Sequence, residues 1–175
     1  EEFQAGRPAA PSVIHLKIGA TKNGDLTAAT SRVIMDGGAF PGSPVAAATS
    51  VGLGHYKFPN LRVDGFDVVT NKPPVGAYRA PGTPQAVFAL ESHIDRLAHA
   101  IGMDPLEFRL QNIVSEGDRL PTNVPLPVIG FRETLEKVQK HPAWSEGQLG
   151  PNQGRGIACG MWLGGIQPNS SIIRL

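Results

Sequence analysis

The chain has 175 residues, enough for one domain that buries roughly 70% of the surface of its unfolded form. Apolar residues make up 41% of the sequence, charged residues make up 18%, and the formal net charge is +1. This balance excludes an intrinsically disordered chain and the basic surface typical of a nucleic-acid-binding protein. No apolar run reaches the roughly 20 residues that a membrane span needs, and the sequence does not open with a signal-peptide pattern.

A β-hairpin opens the predicted fold. Apolar and polar residues alternate over Val13–Ala20, and Asn23-Gly24 predicts a type I′ turn that leads into a partner strand over Leu26–Asp36. The stretch from Asp36 to Gly54 is rich in Gly, Pro, Ala and Ser, which predicts a loop that covers or lines a pocket. A third strand is predicted over Leu61–Thr70, with a bulge at Gly65 where the apolar phase changes.

Three helices follow. The first helix is predicted to start at Pro84 after a Thr83 cap and to end at Gly102. Its predicted buried face consists of apolar residues at three- and four-residue steps: Val87, Leu90, Ile94, Leu97 and Ile101. We expect Glu91, Asp95 and His99 to form a solvated stripe on another face. Asp104 caps a second helix, on which Arg109 is expected to form a surface ion pair. The third helix spans Phe131 to about Lys140.

The C-terminal part is predicted as a polar connection over residues 141–154 followed by a buried strand over residues 155–163. Cys159 lies in that apolar run and cannot form an internal disulfide, which indicates a small core residue in a reducing compartment, the cytoplasm.

The order of elements predicts one α+β domain over residues 1–175, with an N-terminal hairpin and further strands packed against two to three helices. The chain starts at Glu1 without methionine, and Ser171–Leu175 resembles the middle of a strand, so we expect a fragment of a longer polypeptide.

One short stretch, Tyr78–Gly82, carries the candidate chemistry. Pro81 and Gly82 restrict the backbone to a tight turn, so that amides near Ala80 are free to face an acceptor, and Arg79 offers a fork of donors. The helix that follows would add its dipole, which indicates a contact to an anion or an oxo ligand. From the residues alone, an ordinary turn with an exposed or ion-paired arginine explains the same pattern equally well.

The order of several motifs adds a resemblance to this pattern. The chain resembles the molybdenum-binding large subunit of the xanthine dehydrogenase and aldehyde oxidase family in three main segments: Gly76-Ala-Tyr-Arg-Ala-Pro-Gly-Thr-Pro-Gln85, Phe88-Ala-Leu-Glu91 with Ile94-Asp95, and Gly102-Met-Asp-Pro-Leu-Glu-Phe-Arg-Leu-Gln-Asn112. Shorter matches occur in the same order at Asp36–Phe40, Tyr56–Asn60 and Gly130-Phe131.

This resemblance implies an enzyme that hydroxylates a carbon next to a heteroatom, or oxidises an aldehyde, with oxygen taken from water. It implies a molybdenum cofactor, as molybdopterin or its cytosine dinucleotide form, with iron–sulfur clusters and FAD on partner domains or subunits. Arg79 and Ala80 match the segment that contacts the molybdenum ligands, while Gln85 and Tyr78 match its support. No residue of this chain is expected to bind the metal directly.

Departures from the family pattern concern the substrate. Pro81 stands where xanthine-oxidising members have a purine-stacking phenylalanine, and Ala80 stands where carbon monoxide dehydrogenases have a copper-binding cysteine. The purine-orienting arginine of the xanthine enzymes corresponds to about Ala47, in the predicted loop. The resemblance therefore favours an aldehyde or an N-heteroaromatic substrate, with Pro81 and Ala47 in the substrate pocket.

The family's Gly-Gly-x-Phe-Gly segment, its later pterin-binding stretches and its catalytic glutamate are expected outside these 175 residues. The resemblance therefore implies that the chain holds no catalytic residue and is inactive alone. The alternative is a non-catalytic ligand-binding or assembly module that reuses the fold, with Arg79 in a structural ion pair.

Overall fold

The computed structural model describes residues 5–145 and 149–162. Three strands form one sheet in the order β1-β2-β3, with bounds Ser12–Ala20, Leu26–Gly38 and Asn60–Val69. The helices are α1 (Val45–Ser50), α2 (Thr83–Ile101), α3 (Pro105–Asn112), α4 (Phe131–Lys140) and α5 (Pro142–Ser145). This arrangement confirms the predicted α+β class, with a hairpin, a further strand and three longer helices near their predicted places.

The hairpin forms as predicted, but its turn is of another type. β1 pairs antiparallel with β2, and the amide of Thr21 donates to the carbonyl of Asp25 while that of Gly24 donates to Thr21. Gly24 has a positive φ of 91°, whereas Asn23 is not among the described residues with positive φ. The type I′ prediction is therefore wrong, because one left-handed glycine and a register shift at Ala20 complete a longer loop.

The predicted loop over residues 36–54 is wrong in its extent. β2 continues to Gly38, and α1 lies within the connection to β3, which pairs parallel with β2. Such a pairing requires a crossover rather than a hairpin. Gly65 is paired in regular register with Val33, so the predicted bulge is absent there. A Cβ on Gly65 would lie 2.9 Å from Thr49 Cγ2, so the absence of a side chain at Gly65 allows α1 to pack closely against the sheet.

Helix α2 is the longest described helix, and its two ends behave differently from each other. Gly102 closes it in a left-handed conformation, φ 73°, as predicted. The predicted Thr83 cap is wrong: Gly82 precedes the helix, and Thr83 is its first residue and makes no capping bond. The most buried apolar positions are Ala86, Leu90, Ile94 and Ala98, whereas Val87, Leu97 and Ile101 are half-buried.

Helix α3 begins with the predicted aspartate cap. Asp104 Oδ1 accepts hydrogen bonds from the amides of Leu106 at 2.8 Å and Glu107 at 3.0 Å. At the other end, the buried Asn112 donates to the carbonyl of Gly24 at 2.8 Å and accepts from the amide of Leu26 at 3.0 Å. The helix is therefore fixed to the hairpin turn.

Replacing Asp104 by alanine tests the cap. The variant is expected to lose about 1 kcal/mol of unfolding free energy, because two amides at the helix start lose their acceptor. Urea denaturation of the variant beside Glu107→Ala, which leaves the cap intact, measures this loss. Equal stability of the two variants would contradict it.

The C-terminal part departs most from the prediction. Residues 155–162 form no strand, and the connection before them contains α5. Residues 155–162 are apolar because single positions among them are buried. Cys159 lies in the core, as predicted, whereas its neighbours Ala158 and Gly160 are exposed. The predicted strand residues 171–175 lie outside the described residues.

The main core lies between the sheet and α2. Its buried residues come from the hairpin, the segment before β3, the helices and Cys159 (Leu26, Leu53, Tyr56, Leu90, Ile94, Ala98, Leu106, Phe108, Ile113, Leu135 and Cys159). Leu16, Ile18 and Val63 pack against this cluster from one face of the sheet. The start of α2 is therefore held in place by packing along the rest of the helix.

Candidate functional site

The stretch before Arg79 is tied to the body of the molecule by backbone hydrogen bonds. The amide of Val75 donates to the carbonyl of Gly37 at 3.2 Å, and that of Gly76 donates to Pro8 at 3.0 Å. Beyond the turn, the Gln85 side chain donates to the carbonyl of Ala10 at 3.2 Å, in agreement with a supporting role. Tyr78 is 75% exposed and has no such contact among the described residues.

The turn itself has an unusual backbone. Ala80 adopts φ 53° and Gly82 adopts φ 78°, and the amide of Thr83 donates to the carbonyl of Ala80 at 3.1 Å. A left-handed conformation is uncommon for a residue with a side chain and costs about 1–2 kcal/mol. Such residues are concentrated at functional sites, where the surrounding structure maintains them.

Several donors at this turn have no partner within residues 5–145 and 149–162. The Arg79 side chain is exposed and makes neither an ion pair nor a hydrogen bond there. The amides of Ala80 and Gly82 are likewise free of described partners, and the buried Thr83 hydroxyl is unsatisfied. All of these groups lie at or just before the N-terminus of α2, where the helix dipole favours negative charge.

The two predicted pocket residues lie on adjacent elements. A Cβ placed on Gly82 would lie only 2.4 Å from the carbonyl oxygen of Pro44, so the turn is packed against the start of α1. Ala47 is half-buried in the first turn of α1, and Pro81 is half-buried within the loop that precedes α2. Ala47 therefore belongs to a helix and not to the predicted loop.

A buried polar network, which the sequence did not predict, lies farther along α2. Glu91 is only 4% exposed and Arg109 is fully buried, so the predictions of a solvated stripe at Glu91 and a surface ion pair at Arg109 are wrong. The Glu91 carboxylate accepts from Arg109 Nε at 2.9 Å and from the amide of Cys159 at 2.8 Å. Its other oxygen lies 2.7 Å from the Tyr56 hydroxyl, which donates to it, and 3.1 Å from Nε2 of the buried His55.

Arg109 connects this carboxylate to a second one. Its Nη2 lies 2.8 Å from Glu91 Oε2 and 2.8 Å from Asp95 Oδ1, and Nη1 donates to the carbonyl of Pro105 at 3.0 Å. His99 is exposed as predicted, whereas Asp95 is half-buried. The network therefore joins α2, α3, the segment before β3 and the segment around Cys159.

Burial and neighbouring charges act in opposite directions in this network. Burial alone would raise the pKa of Glu91, but the hydrogen bond from His55, the Arg109 charge and the Tyr56 hydroxyl hold that pKa below its usual value. Burial raises the pKa of Cys159 to about 11, and burial together with the Glu91 charge raises that of Tyr56. Glu91 is therefore ionised, and Cys159 and Tyr56 are neutral, at neutral pH.

A cleft with a volume of about 660 Å³ lies away from the Arg79 turn. It is lined by the segment before β3, the start of that strand and the loop after α3, including Phe58, Leu61 and Leu120. The described residues contain no group of three or more His, Cys, Asp or Glu side chains placed to bind a metal ion. Nor do they include a helix that is both long and apolar enough to cross a membrane.

Comparison with known proteins identifies the family. A model of the molybdopterin cofactor-binding domain matches residues 1–113. The chain belongs to the molybdopterin cofactor-binding domain family. The unpartnered donors at the Arg79 turn and the start of α2 therefore lie in a domain type whose description includes binding of this cofactor.

Three relatives show how far the similarity extends. The nicotinate dehydrogenase large molybdopterin subunit of Eubacterium barkeri is 40% identical over 134 residues, which are 74% of this chain and 32% of the relative. The aldehyde oxidoreductase structure from Desulfovibrio gigas has a TM-score of 0.66 at 32% identity, covering 75% of this chain and 15% of the other. The quinoline 2-oxidoreductase structure from Pseudomonas putida 86 has a TM-score of 0.69 at 26% identity, covering 79% and 19%. The chain thus spans less than a third of the length of each.

Proposed function

We propose that this molybdopterin-binding chain is part of a molybdenum-dependent oxidoreductase that hydroxylates an aldehyde or an N-heteroaromatic compound with oxygen from water. The observation that carries this proposal is the set of unpartnered donors at the Arg79 turn, held at the start of a 19-residue helix. Arg79 and the amide of Ala80 bind the cofactor in this proposal. Residues 1–175 then form a single α+β domain of the large subunit.

The donor set at the turn fits an oxygen-rich group. Guanidinium and amide N–H groups donate to phosphate and oxo acceptors, and the dipole of α2 adds a favourable field. When bound, the molybdenum cofactor supplies the redox chemistry and the transfer of the water-derived oxygen. In this proposal the chain's own contribution is to bind and orient the cofactor. By resemblance, the catalytic glutamate is expected outside residues 1–175, so we propose that the chain alone is inactive.

The proposed substrate class follows from what Pro81 and Ala47 lack. Pro81 has no aromatic ring to stack on a purine, Ala47 has no guanidinium to orient one, and Ala80 in the turn has no thiol, so the pocket lacks the groups that the resemblance links with purines or carbon monoxide. Three relatives are named for nicotinate, an aldehyde and quinoline, but xanthine dehydrogenase subunits and carbon monoxide dehydrogenase are also among the similar proteins, so the proposed class rests on the residues of the turn rather than on these names. These names describe other proteins, and for this chain the substrate class is a proposal.

The electron path is expected to lie outside this chain. By resemblance, electrons leave the molybdenum site through iron–sulfur clusters to FAD on partner domains or subunits. We propose these partners, the remainder of the large subunit and a cytoplasmic location for the assembled enzyme, and we include the cytosine dinucleotide form as a candidate cofactor. Cofactor extraction from the purified complex distinguishes the two pterin forms.

Replacing Arg79 by alanine in the assembled enzyme tests the proposed cofactor contact. The loss of one charge-assisted contact is expected to weaken cofactor retention about 10-fold to 100-fold. Molybdenum content is measured by elemental analysis, together with turnover of an aldehyde and an N-heteroaromatic substrate. The matched control is Arg96→Ala, which removes an exposed arginine from the middle of α2.

Full molybdenum content and full turnover in the Arg79 variant would contradict the proposal. An assembled protein that lacks molybdenum in both the wild type and the variants would instead support the non-catalytic module. In that case Arg79 would be a structural or ligand-binding arginine, and a change in unfolding free energy would separate these two roles.

A further inference from the structure

The sheet has one face that helices α1 and α2 leave uncovered. Leu16 and Val63 pack into the main core, and Gly65 meets α1, so both helices lie on the face that these residues share. Residues that alternate with them point to the opposite face. The strand register places nine such residues in three rows, which we call the outer face of the sheet: Val13 with Ile34 and Phe66, His15 with Arg32 and Asp64, and Lys17 with Thr30 and Arg62.

The outer face has an apolar end and a basic end. In the apolar row, Val13 is 56% exposed and Phe66 is 42% exposed. The other two rows carry three basic side chains against the single carboxylate of Asp64, which accepts a hydrogen bond from Arg62 Nε at 3.0 Å. The guanidinium of Arg32 lies 4.8 Å from the centroid of the Phe66 ring and connects the two ends. The outer face therefore combines an apolar row with surplus positive charge.

Two physical arguments indicate that another element covers this face. Strands β2 and β3 pair in parallel, and parallel strands are typical of sheets that carry helices on both faces. An apolar row at this exposure also gains free energy when it is removed from water. The surface is shaped for such a contact, because depressions of about 340 Å³ and 260 Å³ lie at its basic and apolar ends.

The dimensions of the outer face match one helix. Three strands span about 10 Å from the first to the last, which is close to the diameter of an α-helix with its side chains. Three rows at two-residue spacing span about 13 Å along the strands, or roughly two and a half helical turns. A single amphipathic helix therefore covers the face.

Charge and chain length favour one source for this helix. The surplus positive charge is complementary to Asp or Glu side chains, and three basic residues are fewer than the roughly four to eight that are typical of binding to anionic lipids. The chain also spans less than a third of the length of the three relatives described above, so most of a large subunit of this kind lies outside it.

We infer that the outer face is the docking site for an amphipathic helix from the part of the same large subunit that lies outside residues 1–175. Apolar residues of this helix pack on Val13 and Phe66, and its acidic residues pair with Lys17 and Arg32. The sheet then becomes the middle layer of three. The inference takes from the proposed function only the existence of a longer large subunit, and it is independent of cofactor and substrate.

Photo-crosslinking in the assembled enzyme tests the docking site. The photoreactive residue p-benzoylphenylalanine replaces Phe66 in one variant and Val13 in a second, and it replaces the exposed Arg96 of α2 in a control. Both outer-face positions are expected to capture the same peptide, which belongs to the large subunit outside residues 1–175 and contains apolar and acidic residues. Capture of a different subunit, of lipid, or of no more peptide than the Arg96 control captures would overturn the inference.

Charge reversal tests the proposed pairing. Lys17→Glu combined with Arg32→Glu is expected to lower the crosslinking yield from position 13 about 10-fold, because like charges then oppose each other. The matched control combines Arg96→Glu with Lys137→Glu, which reverses two exposed charges on α2 and α4. Lysine at the captured acidic positions is expected to restore the yield in the double variant. Equal yields in the double variant and its control would overturn the pairing.

Two measurements on the same preparation keep this inference separate from the proposed function. Intact mass spectrometry of the subunit shows whether it extends past residues 1–175, and a polypeptide of only these residues would overturn the inference. Absence of molybdenum would refute the proposed function but would leave the crosslinks to decide the docking site alone.

Discussion

Arg109→Ala is expected to lower the free energy of unfolding by about 3–5 kcal/mol, the largest effect of any single substitution considered for this chain. The guanidinium is fully buried and contacts Glu91 and Asp95, so its removal leaves the Glu91 carboxylate in the core without its permanent positive partner. Urea unfolding at neutral pH, followed by circular dichroism, measures the loss. Arg96→Ala is the control and should stay within about 0.5 kcal/mol of the wild type, as surface substitutions usually do.

The pH dependence of the same variant distinguishes charge from packing. In the wild type the pKa of Glu91 is lowered, so its contribution to stability is present above the pKa of the unfolded chain and is lost as pH falls through the folded value. Without Arg109, burial dominates and raises the pKa of Glu91, so that protonation relieves the destabilisation. The stability gap between variant and wild type should therefore narrow from about pH 7 to about pH 5. A gap independent of pH would show that lost packing causes the effect.

A double substitution separates the ion pair from its surroundings. Glu91→Leu combined with Arg109→Met is expected to recover part of the stability lost in Arg109→Met, because no buried charge stays unpaired. Recovery should be incomplete, since the Tyr56 hydroxyl and the Cys159 amide also lose their acceptor. Full recovery would show that these two hydrogen bonds contribute little.

The hairpin and the three longer helices could be predicted because their signals are local. Alternation over β1, the Asp104 cap and the glycine at the end of α2 each act within a few residues. Helix α1 was missed because its six residues, VAAATS, have neither an apolar period nor a side-chain cap. That helix is held by packing between the sheet and α2, which a local pattern does not reveal.

The buried network was missed because charged residues were interpreted as surface. A signal was nevertheless present, since Glu91 lies four residues after Val87 and three before Ile94, on the same stripe as Ala98. A carboxylate on an apolar stripe indicates a buried partner, and Arg109 beside the buried Phe108 is the candidate on the next helix. The missing strand over residues 155–162 has another cause, because strand pairing depends on a distant partner that these residues do not reveal. The role of Arg79 remains a prediction.

Gly82→Ala is expected to lower the free energy of unfolding by about 2–5 kcal/mol, because it combines left-handed strain with overpacking. Its φ is 78°, and the new Cβ would lie 2.4 Å from the backbone carbonyl oxygen of Pro44, which cannot move without shifting α1. Urea unfolding measures the loss. In the assembled enzyme, molybdenum content is expected to fall as well, since the turn that carries Arg79 and the helix that carries Ala47 are forced apart.

Gly102→Ala provides a matched control for this substitution. Gly102 has almost the same conformation, φ 73°, but within residues 5–145 and 149–162 no atom beyond its own chain neighbours and helix backbone lies within 4 Å of the position that its Cβ would take. The Gly102→Ala variant is therefore expected to lose only about 1 kcal/mol of unfolding free energy, from left-handed strain, and the turn at the other end of α2 stays unchanged. The difference between the two variants isolates the contact between the turn and α1. If the two alanine variants lose the same stability, that contact does not hold the turn, and the proposed pocket between Pro81 and Ala47 loses its structural basis.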